Sequence, residues 1–175
     1  MKTEKQITIR SLEKNDCEII TQAFNNQGWD KKVERYQEYL KEQTAGKRDV
    51  LIALVDGDFA GYLTIVWESY YPYFRENWIP EITDLNVLKK FQRMGIASSL
   101  MDIAEKIVSK KSKTIGIRVG LTADYGRAQR LYVKRGYIPD GNGISQNEKC
   151  LKWGKTVRVN DNLVLCLTKE LKNRR

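Results

Sequence analysis

The sequence predicts a mixed α/β domain, and three observations carry that prediction. Short segments recur from Ile7 to Leu167, some alternating apolar with polar residues and some continuously apolar, as half-buried and buried strands do. Other segments space their apolar residues three and four apart, which lines one face of a helix. The two kinds follow one another as β-α-α-β-β-β-α-β-α-β-β, which departs from a regular βαβ repeat. At 175 residues, 41% hydrophobic and 30% charged, the chain has the size and mix of a single globular domain spanning 1–175, with its core over about 7–169.

Ile7, Ile9 and Leu12 alternate with polar residues and mark the first strand. Asp16 is placed to cap a helix with Cys17 at its start and Ile20 and Phe24 on one face. Asp30 is placed to cap a second helix, whose Val33, Tyr36 and Leu40 keep helical spacing. VLIALV (Val50 to Val55) then meets FAGYLTIVW (Phe59 to Trp67) across Asp56-Gly57-Asp58, a turn sequence typical of a β-hairpin. Glu68 to Trp78 is aromatic, contains Pro72 and reads as an irregular connection. Ile79 to Val87 reads as the fourth strand.

Gly95 to Lys111 is the clearest helix, with Ile96, Leu100, Ile103 and Ile107 in one stripe that Ala97, Met101, Ala104 and Val108 widen. Thr114 to Leu121 is the fifth strand. Asp124 then caps a helix that turns Ala128, Leu131 and Tyr132 inward and is closed by Gly136. A strand starts at Tyr137 and Leu163 to Leu167 forms the last one. Between them, Gly141 to Asn162 is a polar excursion with hairpin character.

The chain has no histidine. That excludes Ser-His-Asp and Cys-His nucleophile systems, HExxH zinc sites and histidine-bound haem, and leaves proton transfer to Glu, Asp, Tyr, Lys, Cys, a terminus or water. Cys17, Cys150 and Cys166 have neither even number nor paired spacing, so no disulfide framework and no metal site is expected. Cys166 lies in an apolar strand and, like Cys150, has no imidazole to activate it, so both read as packing residues. No run approaches a membrane span, and the first residues lack an apolar leader, so a cytoplasmic protein is expected. Thirty-one Lys and Arg against 22 Asp and Glu give a net charge of +9, which suits a polyanion, either nucleic acid or a phosphorylated cofactor.

Gln92-Arg93-Met94-Gly95-Ile96-Ala97 follows a strand and opens the clearest helix. A helix N-terminus presents unsatisfied N–H groups and the positive end of its dipole, so it can hold phosphates; Gly95 permits close backbone approach and Ala97 is small. A plain strand-to-helix turn is the alternative. Neither GxxxxGK[ST] nor GxGxxG with a downstream acid is present.

These residues resemble the [RQ]-x-x-G-x-[GA] signature of the GNAT superfamily of acetyl-CoA-dependent N-acetyltransferases. A second block, Leu131-Tyr132-Val133-Lys134-Arg135-Gly136-Tyr137, resembles that family's LYxKxGF helix end, and the element order agrees from Ile7 to about Leu167. The resemblance implies a central, mostly antiparallel sheet with splayed fourth and fifth strands, and helices on both faces. It implies that backbone groups of Leu85, Asn86 and Val87 pair with the pantetheine arm. The pyrophosphate would lie on amides from Gln92 through Arg93, Met94, Gly95, Ile96 and Ala97 to Ser98. Tyr132 would approach the cofactor sulfur and give it a proton. Where many members have Asn three residues before Ala128, this chain has Tyr125, which puts that cofactor contact in doubt unless the phenol substitutes.

Transfer to an amine also needs a proton acceptor. Glu81, eleven residues before Gln92, occupies the position where some members place a catalytic Glu. Asp84 is its rival, although strict alternation would put it on the opposite face. A water chain with no base residue is the third option. The aromatic group Trp67, Tyr70, Tyr71, Tyr73, Phe74 and Trp78 reads equally as substrate pocket, dimer contact or core. Lys106, Lys110, Lys111 and Lys113 read as a solvated helix end. The implied partner is an amine on a small molecule, peptide or protein, with a homodimer open. The rivals are a CoA-binding sensor without catalysis and a nucleic-acid module, the latter disfavoured because the cations are scattered.

Overall fold

The computed structural model describes residues 6–171. Along the chain come β1 (Ile7–Ser11), α1 (Asp16–Asn25), α2 (Val33–Thr44), β2 (Arg48–Val55) and β3 (Asp58–Val66). There follow α3 (Pro72–Glu76), β4 (Glu81–Val87), a single 3-10 turn at Lys89–Phe91 and α4 (Ile96–Val108). The remainder is β5 (Thr114–Gly120), a second 3-10 turn at Ala123–Tyr125, α5 (Gly126–Lys134), β6 (Ile138–Gln146), β7 (Lys149–Cys150) and β8 (Leu163–Glu170). The strands form one mostly antiparallel sheet in the order β1-β2-β3-β4-β5-β8-β6-β7, with β4 and β5 parallel. Among the described residues no helix is long and apolar enough to cross a membrane.

The chain folds as two compact units that divide β4 between them. The first holds residues up to Val66 and Thr83–Lys106. Its β2–β3 hairpin turns through Asp56 and Gly57, both with positive φ (52° and 90°), so Val55 pairs directly with Asp58. Two successive left-handed residues make a type I′ turn, whose twist matches the strands it joins. Its core is aromatic: Tyr62 of β3 meets Tyr36 of α2 edge-on at 5.5 Å between ring centroids and Phe24 of α1 at 5.9 Å.

The helix starts differ from the expected caps. Asn15 and Lys32 precede α1 and α2, and neither offers a capping side chain. Asp16 instead lies inside the first turn, buried, accepting both Arg10 guanidinium nitrogens at 2.6 and 2.8 Å and the Glu13 amide at 2.7 Å. It ties β1 to α1, a tertiary task that local cap propensity does not reveal. Burial works against its charge, but these donors overcome it and hold the carboxyl below the ordinary value.

The second unit comprises Trp67–Ile82 and the chain from Ile107. The aromatic segment expected to be irregular contains α3, which Pro72 opens at a position where its missing N–H costs nothing. Tyr71 and Phe74 pack with Ile79 and Cys166, whereas Tyr70 and Trp78 are exposed, so the segment is partly core. β4 begins parallel to β5, with Glu81 beside Gly116 and Ile82 beside Ile117. β8 runs antiparallel to β5 along its whole length, and β6 pairs with β8. The polar excursion contains the expected hairpin: β6 turns into β7 through Asn147 (φ 49°) and Glu148 (φ 62°).

A Cβ on Gly116 would run into the fully buried Phe74 ring. Gly116→Ala is expected to destabilise the fold by about 1–3 kcal/mol, as core overpacking does. The check is a lower denaturant midpoint at unchanged slope.

Candidate active site

In the first unit, the segment after β4 has the geometry of an anion cradle. Arg93 (φ 64°) and Gly95 (φ 80°) are both left-handed, which turns successive amides toward one side as α4 begins. A Cβ on Gly95 would meet no atom within 4 Å, so the space in front of the turn is open. α4 carries no acidic residue in its first turn, where one would ordinarily neutralise the dipole. Gln92, Arg93 and Gly95 are exposed, Met94, Ala97 and Ser98 half-buried, and Ile96 buried, anchoring the turn. These features fit the pyrophosphate of a CoA thioester.

Leu85, Asn86 and Val87 are half-buried and close β4. β3 approaches them tightly: a Cβ on Gly61 would lie 2.5 Å from the Asn86 carbonyl oxygen and 3.0 Å from Val87 Cα. The strand is irregular just before them, because Asp84 has φ 48°. A left-handed residue inside a strand is a bulge, which breaks alternation. Thr83 and Asp84 accordingly meet two side chains that stack on one another. The Arg48 guanidinium donates to Thr83 Oγ1 at 3.2 Å and stacks 4.2 Å over the Tyr39 ring, while the Tyr39 hydroxyl donates to Asp84. The alternation rule that set Asp84 apart from Glu81 therefore does not hold in this strand.

In the second unit, Tyr132 is buried on α5, 6.1 Å from Tyr137 between ring centroids. Burial, helped by the neighbouring Tyr125, pushes its phenol up to about 12, so it stays neutral and keeps its proton. Gly136 closes the helix with φ 87°, as the pattern predicted. Ala128 is half-buried on the same helix. Tyr125 packs its ring against Gly120 and donates its hydroxyl to Asp161 at 3.1 Å.

Glu81 is 1% exposed and deeply engaged. One oxygen accepts Arg118 Nε at 2.7 Å, and the other accepts the Ser69 hydroxyl. Arg118 also reaches Glu148 at 3.3 Å, on the left-handed turn between β6 and β7. Burial opposes the Arg118 charge, and Glu81 more than offsets it, so the guanidinium lies above its ordinary value. Arg118, Ser69 and Glu148 escaped the sequence reading, although one signal existed. Arg118 is a lone charge in the apolar strand TIGIRVGL, and a charge there demands a buried partner. Cys166 is buried, its thiol pushed up to about 11 by burial, whereas Cys150 is exposed.

The fold recurs in solved structures. A protein from Desulfovibrio desulfuricans, described as an acetyltransferase of the GNAT family, superposes with a TM-score of 0.71 at 13% identity, over 95% of this chain and 100% of its own. An N-acetyltransferase from Staphylococcus aureus Mu50 gives 0.70 at 16% identity, over 95% and 99%. A Salmonella typhimurium protein described as an acetyltransferase, solved with its cofactor acetyl-CoA, gives 0.67 at 17%, over 96% and 95%. At such identities the likeness is one of fold. No curated protein matches the chain by sequence. The model of the acetyltransferase (GNAT) family matches residues 15–137, a span that contains the α4 cradle, Glu81 and Tyr132. The chain belongs to the acetyltransferase (GNAT) family.

Proposed function

We propose that the protein transfers acetyl from acetyl-CoA to a primary amine by direct attack in a ternary complex. The observation that carries this reading is the left-handed turn at Arg93 and Gly95, opening α4 with free space before it and no first-turn acid. Amides from Arg93 to Ser98 hold the pyrophosphate, that of Gln92 being given to the Lys89 carbonyl, and the backbone of Leu85, Asn86 and Val87 holds the pantetheine arm. Ala128 leaves room beside the cofactor; Tyr125, committed to Asp161, replaces the usual Asn only through its ring. Acetyl-CoA supplies the acyl group as a thioester. In the transfer the amine nitrogen bonds the acetyl carbon as the carbon–sulfur bond breaks, and the Tyr132 hydroxyl gives the departing sulfur a proton. The nitrogen's proton leaves to water.

Each Glu81 oxygen accepts one hydrogen bond, from Arg118 and from Ser69, and keeps a lone pair with which to hold a water. We therefore assign Glu81 to ordering the accepting water. The wild-type kcat should climb with pH as free amine appears, without an inflection near 6.5, because the chain has no histidine. Glu81→Gln should keep that profile at reduced amplitude. Loss of an acidic limb in the variant would instead make Glu81 the direct base, and superimposable profiles of equal height would remove it from the mechanism.

The deciding experiment is release of the CoA thiol from acetyl-CoA against a panel of small amines, peptides and proteins. Amine-dependent release supports the reading. Tight acetyl-CoA binding without release on any amine would make the protein a sensor. A cytoplasmic setting fits its three free cysteines.

A further inference from the structure

The β4 bulge gathers a charged cluster within the first unit that the reaction above does not use. Asp84 accepts the Tyr39 hydroxyl and lies 3.6 Å from the Arg35 guanidinium, whose side chain is 49% exposed. Lys31, on the connection between α1 and α2, sets its ammonium 5.8 Å from the centroid of the Phe24 ring. Among the described residues Lys31 forms no ion pair. Its charge nevertheless senses both Asp84 and Arg35, and burial holds its pKa below the ordinary lysine value. The next cation, Arg48, is already paired with Glu42. Asp30 and Glu38 pair outward with Lys32 and Lys41 on exposed surface.

The cluster therefore sets two cations, Lys31 and Arg35, against one carboxylate. A partly desolvated ammonium without a counter-ion is costly, and an incoming anion would relieve it. A plain alkylammonium would find Asp84 attractive but meet Arg35 and Lys31 as like charges. A molecule carrying both signs satisfies every member. The position is relevant, because Asp84 directly precedes Leu85 in the strand, within about 3.4 Å along the chain. The bulge is what turns its carboxylate toward α2.

We propose that Asp84, Arg35 and Lys31 form the acceptor subsite, and that the acceptor carries an acid group beside its amine, as an α-amino acid does. Asp84 meets the ammonium before it is deprotonated, and Lys31 with Arg35 meets the acid. The Tyr39 hydroxyl fixes the Asp84 rotamer. The proposal rests on the acetyltransferase reading and adds the substrate class to it.

The test uses matched pairs that differ only in the α-carboxyl group: phenylalanine with phenethylamine, leucine with 3-methylbutylamine, and glutamate with 4-aminobutanoate. Thiol release from acetyl-CoA is followed with the full-length protein. At least one α-amino acid should exceed its decarboxylated partner about tenfold or more in kcat/KM, the range expected for a hydrogen-bonded charge contact. Lys31→Met and Arg35→Gln should each shrink that ratio about tenfold. Asp84→Asn should raise the KM of both members, and Asn tolerates the left-handed backbone, so the variant should fold.

Amine turnover with no preference for the acid member, or a preference that Lys31→Met and Arg35→Gln leave intact, overturns the proposal while the acetyltransferase reading stands. If no amine is turned over, that reading fails, and thermal-shift binding of the same amino acids decides the subsite separately. A shift that Lys31→Met and Arg35→Gln abolish supports it, and the absence of any shift overturns it.

Discussion

Tyr132→Phe is expected to lower kcat about 10²-fold or more while leaving the KM for acetyl-CoA nearly unchanged, general-acid assistance being worth roughly 10²–10⁴. The substitution removes one hydroxyl from a buried ring and keeps its packing on Tyr137. Because the phenol is pushed up to about 12, it stays protonated across the working range and offers its proton without first having to acquire one. No basic limb from this group should then appear in the rate below about pH 10. The same shift has a sign for stability. The folded value lies above the unfolded one of about 10, so the contribution is whole below pH 10 and is lost as pH rises toward about 12. Steady-state kinetics on one saturating amine provide the check. A variant with wild-type kcat would reduce Tyr132 to packing.

Gly95→Glu is expected to abolish measurable acetyl-CoA binding in a protein that remains folded. The new side chain would enter the open space before α4 and put a carboxylate where the phosphates are to sit. It also loads a left-handed position with a Cβ, at a cost of roughly 1–2 kcal/mol. A folded domain tolerates that cost, since the turn is at a helix end and Gly95 is exposed. Calorimetry with acetyl-CoA, beside circular dichroism for the fold, separates the two effects. Unaltered affinity would place the phosphates elsewhere.

What the sequence made legible was whatever local chemistry decides. The Asp56-Gly57 turn, the α4 stripe and the Gly136 stop each depend on a few neighbouring residues, and each is where the pattern put it. What it hid depends on partners far along the chain. Asp16 looks like a cap because Asp prefers caps, yet Arg10 and the Glu13 amide claim it. Glu81 looks like an exposed strand-end acid until Arg118, 37 residues on, is seen to hold it. The candidate phosphate cradle was legible because it is contiguous. The Asp84 cluster was not, because it joins α2, the α1–α2 connection and one bulged residue, and a periodic pattern cannot announce its own interruption.

That interruption gives β4 something like a reading frame. In an unbroken strand, parity of residue number decides which side of the sheet a side chain serves. Here Thr83 and Asp84 serve the same side, and Asn86, two further on, donates to the Tyr62 hydroxyl on that side as well. Residues before and after the bulge thus count in different frames. Losing a single residue at Thr83–Asp84 would restore the pleat and leave Leu85, Asn86 and Val87 on the sides they serve now, whereas losing Leu85 would turn Asn86 and Val87 over together. In this strand a deletion beyond the bulge is a frameshift, and its damage falls on the segment assigned to the cofactor arm.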